Sequence, residues 1–262
     1  MSSMNRTALQ ITVTLLGIAL VSGLSALIRP ARFPKAQRWS KGVQYAALAM
    51  LSVALGAWWY TDGNANVLLG SLRGCFAVLA WALLVPCGIP RTYFHSSLPD
   101  FLSTAAAFVL LLAALQAPAG ASVPQSPWLV WHVSSCLGGY AALIAASLLA
   151  VVHLCGEGWS NGAFPGAQTL EKRIRQAIAC GLFMLAIGMA SGSFWAKDAW
   201  GAYWSWDPKE IWCLTVWSFY AAILGTGQRG KTLALLTLFG LGVLLFCWLG
   251  VNRLAASLHS YG

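Results

Sequence analysis

Trp195-Ala-Lys-Asp-Ala-Trp200-Gly-Ala-Tyr203-Trp204-Ser-Trp206-Asp207-Pro208-Lys209-Glu210 separates two apolar runs, and its position dictates how the chain around it must fold. Five of these residues are charged: Lys197, Asp198, Asp207, Lys209 and Glu210. A charge at the centre of a bilayer costs roughly 2.5–3.5 kcal/mol even on the mildest scale, so the stretch belongs outside hydrocarbon. It is too aromatic for an ordinary solvated loop, since six of the chain's fourteen tryptophans fall between 195 and 217. Tryptophan and tyrosine concentrate where lipid meets water, because the ring is apolar while its N–H or O–H seeks a polar partner. The stretch therefore reads as a flat aromatic surface at a membrane boundary, suited to a large planar apolar ligand, with a spanning helix on either side.

The rest of the chain agrees. Its 262 residues are 58% hydrophobic and 9% charged, with a mean hydropathy of +0.68. A soluble domain carries about 25% charged residues, so this composition is that of an integral membrane protein. The net charge of +9 does not mark a nucleic-acid binder, because the basic residues are dispersed in short segments between apolar runs instead of forming a patch. The cysteines at 75, 87, 136, 155, 180, 213 and 247 show no metal-ligand spacing and read as small apolar fillers. There is no Cys-x-x-Cys-His for covalent heme on the chain itself and no phosphate-cradling Walker loop for ATP hydrolysis.

A spanning helix needs about 20 apolar residues. Eight such runs lie near 8–28, 43–60, 67–86, 100–117, 130–154, 175–194, 211–227 and 232–252, the second and seventh short and the third carrying Arg73. The first lacks a cleavage signature and reads as a retained helix. The expectation is an all-α bundle of about eight transmembrane helices in one polytopic domain. Its first part covers 1–127 and its core covers 128–262. With eight spans, eleven basic residues (Arg29, Arg32, Lys35, Arg38, Lys41, Arg91, Lys172, Arg173, Arg175, Arg229 and Lys231) fall on one side. Four (Arg6, Lys197, Lys209 and Arg253) fall on the other. The positive-inside rule puts the first group in the cytoplasm or stroma, so the tryptophan segment and both termini face outward. Gly188 and Gly192 form a small-xxx-small pair that reads as helix packing.

The histidines carry the candidate chemistry. His132, near the outer end of span five, and His259, just beyond span eight, reach the same outer level as the tryptophans. Heme iron takes two axial imidazoles and its porphyrin needs an apolar bed, so two outer histidines beside an aromatic surface fit a bis-histidine heme site. The plainer alternative is that interfacial tryptophans anchor the helices and each histidine bonds locally. His153, near the inner end of span five, is either a structural residue or a functional one at depth. His95 lies in an inner loop. Arg73 either meets a heme propionate or snorkels to the interface.

Trp200-Gly-Ala-Tyr-Trp-Ser-Trp-Asp-Pro-Lys-Glu210, with Gly192 and Trp195 ahead of it, resembles the WWD motif of heme-handling cytochrome c assembly proteins, in the version of the CcsA/ResC (system II) branch. Trp131-His132-Val-Ser with Gly139-Tyr140-Ala141, and Gly250-Val-Asn252 with Leu258-His259-Ser-Tyr-Gly262, resemble that family's two outer histidine segments. The resemblance runs from about Trp128 to the C-terminus.

It implies that His132 and His259 are axial ligands of a heme b held as substrate. Trp200, Trp204, Trp206 and Asp207, with Trp195, would form its platform. The implied activity is that of the heme-ligating subunit of a holocytochrome c synthase, which adds both thiols of an apocytochrome Cys-x-x-Cys-His across the heme vinyl groups. The implied partners are a ResB/CcsB-type membrane subunit and the apocytochrome, in a bacterial inner or thylakoid membrane. Asp207 before Pro208 also reads as the cap of span seven, with Lys209 and Glu210 as solvated end charges. The family's inner histidine after the motif falls on Gly225 here, which leaves open a heme-export or handoff protein without ligation chemistry. A small-molecule transporter with an aromatic belt is the third reading.

Overall fold

The computed structural model describes residues 3–28, 35–61, 68–88, 98–117, 126–156 and 166–254. Among these are eight long helices and no strand: α1 (Ser3–Ile28), α2 (Ala36–Thr61), α3 (Leu72–Gly88), α4 (Leu98–Gln116), α5 (Pro127–Gly156), α6 (Ala167–Trp200), α7 (Pro208–Gly225) and α8 (Gly230–Leu245). After α8 come a π-helical turn (Phe246–Gly250) and a last short turn (Val251–Leu254). Each expected span is thus a helix, and the chain is a multi-pass membrane protein. Six of the helices are long and apolar enough to cross a bilayer. At 17 and 18 residues, α3 and α7 reach only about 26 Å, just under a hydrocarbon core of ~30 Å. The second span is not short, because α2 begins at Ala36 and runs for 26 residues. The sixth is much longer than its apolar run, since α6 covers 34 residues, or about 51 Å. Polar residues at its start and aromatic ones at its end carry it beyond what lipid alone requires.

The chain forms two compact units, Met1–Gly120 and Ala121–Gly262. In the first, α1 packs on α2 and α4, and α3 packs on α2 and α4, closing a four-helix ring. Its core interleaves Leu9, Leu16, Leu51, Leu84 and Leu111 with alanines 47, 77, 80 and 107. Polar side chains tie this bundle together: Gln44 Nε2 donates to Thr104 Oγ1 (2.8 Å), Ser40 donates to the Ala19 carbonyl (2.9 Å), and Lys41 faces the buried Asp100 at 3.8 Å. Arg73 lies in the first turn of α3 instead of deep in a span, and its guanidinium donates to the Ala117 carbonyl just past the end of α4. A cation there satisfies a carbonyl that the helix leaves open and complements the helix dipole.

In the second unit α5 packs along α6 and α8, and α7 packs on α6 and α8. Glycines let α5 and α6 approach closely. A Cβ on Gly139 would sit 2.8 Å from Leu185 Cγ, and one on Gly181 2.7 Å from Leu143 Cγ. Small residues at such crossings are how membrane helices gain dispersion contact without a hydrophobic driving force. Side chains then lock the remaining pairs. Trp217 Nε1 donates to the Leu182 carbonyl (3.1 Å), and Ser147 Oγ and Tyr220 Oη both donate to the Thr237 carbonyl (3.4 and 3.3 Å). The α7–α8 turn is held by α6, where Glu171 accepts from Gly230 N (3.1 Å) and Arg175 donates to the Gln228 carbonyl.

Replacing Gly139 with valine should cost about 1–3 kcal/mol through overpacking against Leu185. The expected result is a lower midpoint in detergent by circular dichroism, while Gly56→Ala, where a Cβ meets open space, leaves it unchanged or raised.

Candidate functional site

Three stretches meet at one end of the second unit: the start of α5, the α6–α7 connection, and the end of α8. Ser126 Oγ, one residue ahead of α5, donates to Asp198 Oδ2 near the end of α6 (2.7 Å). Lys209 Nζ, in the first turn of α7, donates to the Trp248 carbonyl in the π turn (3.0 Å), and the Trp248 ring meets Tyr140 of α5 at 5.4 Å. Of the two histidines expected here, His132 is at this end. His259 lies outside the described residues, as does His95.

His132 has a built seat. Its Nδ1 lies 2.7 Å from the Gly188 carbonyl, which as an acceptor sets Nδ1 as the protonated nitrogen and leaves the lone pair on Nε2. The ring stacks on Trp195 (centroids 5.9 Å, planes 9° apart). On the facing helix, a Cβ at Gly192 would come within 2.5 Å of Nδ1. The Gly188/Gly192 pair is thus more than a packing motif, since one glycine supplies the acceptor and the other the room for the imidazole. A backbone carbonyl on one ring nitrogen is also among the partners that orient histidines whose other nitrogen binds a metal.

The tryptophan segment is not one flat surface. Trp195 and Trp200 belong to the last turns of α6, which ends on Gly201 in the left-handed conformation (φ 85°). Trp195 is 1% exposed and meets Trp200 edge to face (5.0 Å, 78°), so it backs His132 from within the core. Trp204 and Trp206 are likewise edge to face (5.8 Å, 87°), and Phe194 stacks on Trp128 (4.7 Å). Edge-to-face rings match the positive rim of one to the negative face of the next, which a coplanar sheet would forgo. Trp206 alone among described non-glycine residues has positive φ (56°), and it stands 68% exposed. Left-handed backbone costs an ordinary residue about 1–2 kcal/mol, and such strain clusters at functional sites.

Glu210 holds that strained residue. Its Oε2 accepts from the backbone N–H groups on both sides of Trp206, Ser205 N at 2.9 Å and Asp207 N at 3.1 Å. Asp207 caps α7 as expected, accepting from Lys209 N (3.1 Å), and with Glu210 it completes a capping box behind Pro208. Neither Glu210, 8% exposed, nor Lys209, bonded to Trp248, is the solvated end charge expected. The Asp-x-x-Glu spacing was the sequence signal for Glu210. Buried Trp204 Nε1 has no hydrogen-bond acceptor among the described residues, leaving an indole donor inside the segment.

His153 is 2% exposed, and its Nε2 has no partner among the described residues. It stands 21 residues along α5 from His132, about 31 Å, so the two imidazoles cannot share one site. Gly225 ends α7 at the same end of the unit as His153. Arg73 belongs to the first unit, where its described bond is to Ala117.

Gly192→Ala is expected to cost about 1–3 kcal/mol and to be tolerated once His132→Ala has removed the ring, a coupling that a double-mutant cycle of thermal midpoints reads directly. Glu210→Ala is expected to destabilise by about 1–3 kcal/mol, because two backbone donors lose their acceptor. Trp206→Gly in that background should recover part of the loss by removing the left-handed strain.

The family described as Cytochrome C assembly protein matches residues 39–259. The Cytochrome c biogenesis protein CcsA of Synechococcus sp. (strain CC9605) is 36% identical over 215 residues, covering 69% of this chain and 67% of the relative. The protein of that name from Synechococcus sp. (strain CC9902) is 34% identical over 266 residues, covering 81% and 83%. A third, from Parasynechococcus marenigrum (strain WH8102), is 33% identical over 273 residues, covering 84% and 85%. The family match takes in His132, the whole tryptophan segment and His259, and the chain belongs to the cytochrome c assembly protein family.

Proposed function

We propose that this protein acts in cytochrome c maturation as the heme-presenting subunit of a holocytochrome c synthase, with heme b as substrate. The observation that carries the proposal is the seat of His132. An imidazole whose Nδ1 is tied to the Gly188 carbonyl, and whose plane is held by Trp195, directs the Nε2 lone pair as an axial ligand requires. His259 supplies the second imidazole from the chain that leaves α8. The residues also suit an apolar macrocycle with acidic side groups. Trp206 and Tyr203 are exposed aromatic faces, and the Trp204 indole N–H is a buried donor awaiting an acceptor.

The chemistry asked of the protein is modest. Each thiol of the incoming Cys-x-x-Cys-His adds across one vinyl group, sulfur bonding the inner carbon and hydrogen ending on the outer one. Electrons balance without an oxidant. Holding the vinyls and thiols in one orientation converts an encounter between partners into an intramolecular step, which is where most of the acceleration arises. Trp195, Trp200 and Glu210 act by positioning, fixing the ligand ring and the exposed Trp206. A membrane subunit of the ResB/CcsB kind is the proposed partner. By the charge distribution the site faces the periplasm or thylakoid lumen. Gly225, at the position of the family's inner histidine, favours one second reading: a protein that binds and hands on heme without making thioether bonds.

Protein purified from a heme-replete host is expected to carry low-spin heme with two imidazole ligands. His132→Ala and His259→Ala should each lower heme content by on the order of 10-fold or more. Identical spectra and heme content in the wild type and both variants would remove the proposal. Co-expression with the second subunit and an apocytochrome, in a host without other maturation systems, separates the two readings. Covalent cytochrome c indicates the synthase, and bound heme without covalent product indicates handoff.

A further inference from the structure

Cys213 on α7 and Cys247 in the π turn are 34 residues apart in sequence, yet their sulfurs lie 3.7 Å from each other in a thiol–thiol hydrogen bond. We propose that they form a redox-active dithiol, which closes to an intramolecular disulfide by exchange with the disulfide of a Cys-x-x-Cys partner. Four features of the pair support this.

The first is the backbone. The turn at Phe246–Gly250 is π-helical, with Val251 N bonding the Phe246 carbonyl. A π turn admits one residue more than an α turn, which rotates the residues after it and loosens the carbonyl ladder; such turns are frequent at functional sites. Here Cys247 is turned into the core at 1% exposure, and the Trp248 carbonyl is left to accept from Lys209. The second is the neighbouring charge. Lys209 lies one turn ahead of Cys213 on the same helix and is anchored on the residue after Cys247. A lysine close to a cysteine is one of the surroundings of exchanging thiols. The third is asymmetry, because Cys213 is partly exposed while Cys247 is buried. An exchanging pair needs one sulfur that meets the partner and one that resolves the intermediate from behind. The fourth is location. Cys213 lies six residues past Asp207, about 9 Å along α7 from the tryptophan segment.

The exchange balances without an added oxidant. The Cys213 thiolate attacks one sulfur of the partner disulfide, forming a mixed disulfide and releasing the partner's other sulfur as a thiolate. The Cys247 thiolate then attacks the Cys213 sulfur and releases the partner's second thiol. Two electrons pass from this chain to the partner, and the two protons of the original thiols end on the partner's sulfurs. Resting on the function proposed above, this deepens it. A Cys-x-x-Cys-His substrate can add to vinyl groups only as a dithiol, and this pair would reduce a substrate that arrives oxidised. The disulfide left behind would also tie α7 to the chain that runs on to His259, twelve residues beyond Cys247.

The test mixes the full-length reduced protein, in detergent, with a Cys-x-x-Cys-His peptide carrying its disulfide. Intact mass, peptide mapping and peptide thiols are followed. The expected result is one equivalent of reduced peptide for each protein that loses two hydrogens, with the new bond mapped to Cys213–Cys247. Cys247→Ser should accumulate a mixed disulfide at Cys213, and Cys213→Ser should reduce nothing. Wild-type mapping alone suffices if a variant fails to fold. A peptide that stays oxidised, or a disulfide mapped instead to the exposed Cys155 and Cys180, overturns the proposal. None of these outcomes depends on the heme spectrum, so the dithiol can fail while heme presentation stands, and the reverse.

Discussion

The contact on which the second unit depends is the close approach of α5 and α6. Where Gly139 meets Gly181 it brings two backbones into dispersion contact, and farther along the same seam it becomes a place for an imidazole. Gly188 contributes a carbonyl and Gly192 a missing side chain, so the packing surface and the histidine seat are one structure. A seam that served only close packing would carry small residues along its whole length. This one is interrupted at its end by a polar ring whose hydrogen bond is made to backbone, which a change of neighbouring side chains cannot remove. The geometry of His132 is therefore set by rigid helices and not by a loop.

The segment after α6 solves a different problem. It must leave a helix, present an aromatic ring to the surroundings, and enter another helix within seven residues, 201 to 207. Gly201 makes the exit, Pro208 and the Asp207–Glu210 capping box make the entry, and the strain collects on Trp206 between them. The Glu210 carboxylate offsets that strain by taking the N–H groups on either side. A buried carboxylate with charge-assisted hydrogen bonds is among the stronger polar clamps available to a protein. The charges near the tryptophans are thus the means by which one indole is kept outside.

Much of this was legible in the residues. Eight apolar runs became eight helices because hydrocarbon leaves a backbone few alternatives. Where the expectation erred, the reason is physical. Hydropathy marks where lipid must be, not where a helix stops, so α2 and α6 overran their apolar runs. The flat aromatic surface gave way to edge-to-face pairs because ring quadrupoles favour them. Glu210 and Lys209 looked solvated because a charge next to a membrane usually is. That the first bonds to backbone beside Trp206 and the second to the π turn is a result of folding.

By itself the sequence determined the membrane class, the eight long helices among the described residues, the cap at Asp207 and the kinship carried by the tryptophan segment, since each depends on composition or on residues a few positions apart. Only the tertiary structure decided which glycines seat His132 and that Trp195 backs it from the core. It also decided that Cys213 and Cys247 meet. Those are pairings between helices, and no spacing along a chain encodes which faces of two helices will touch.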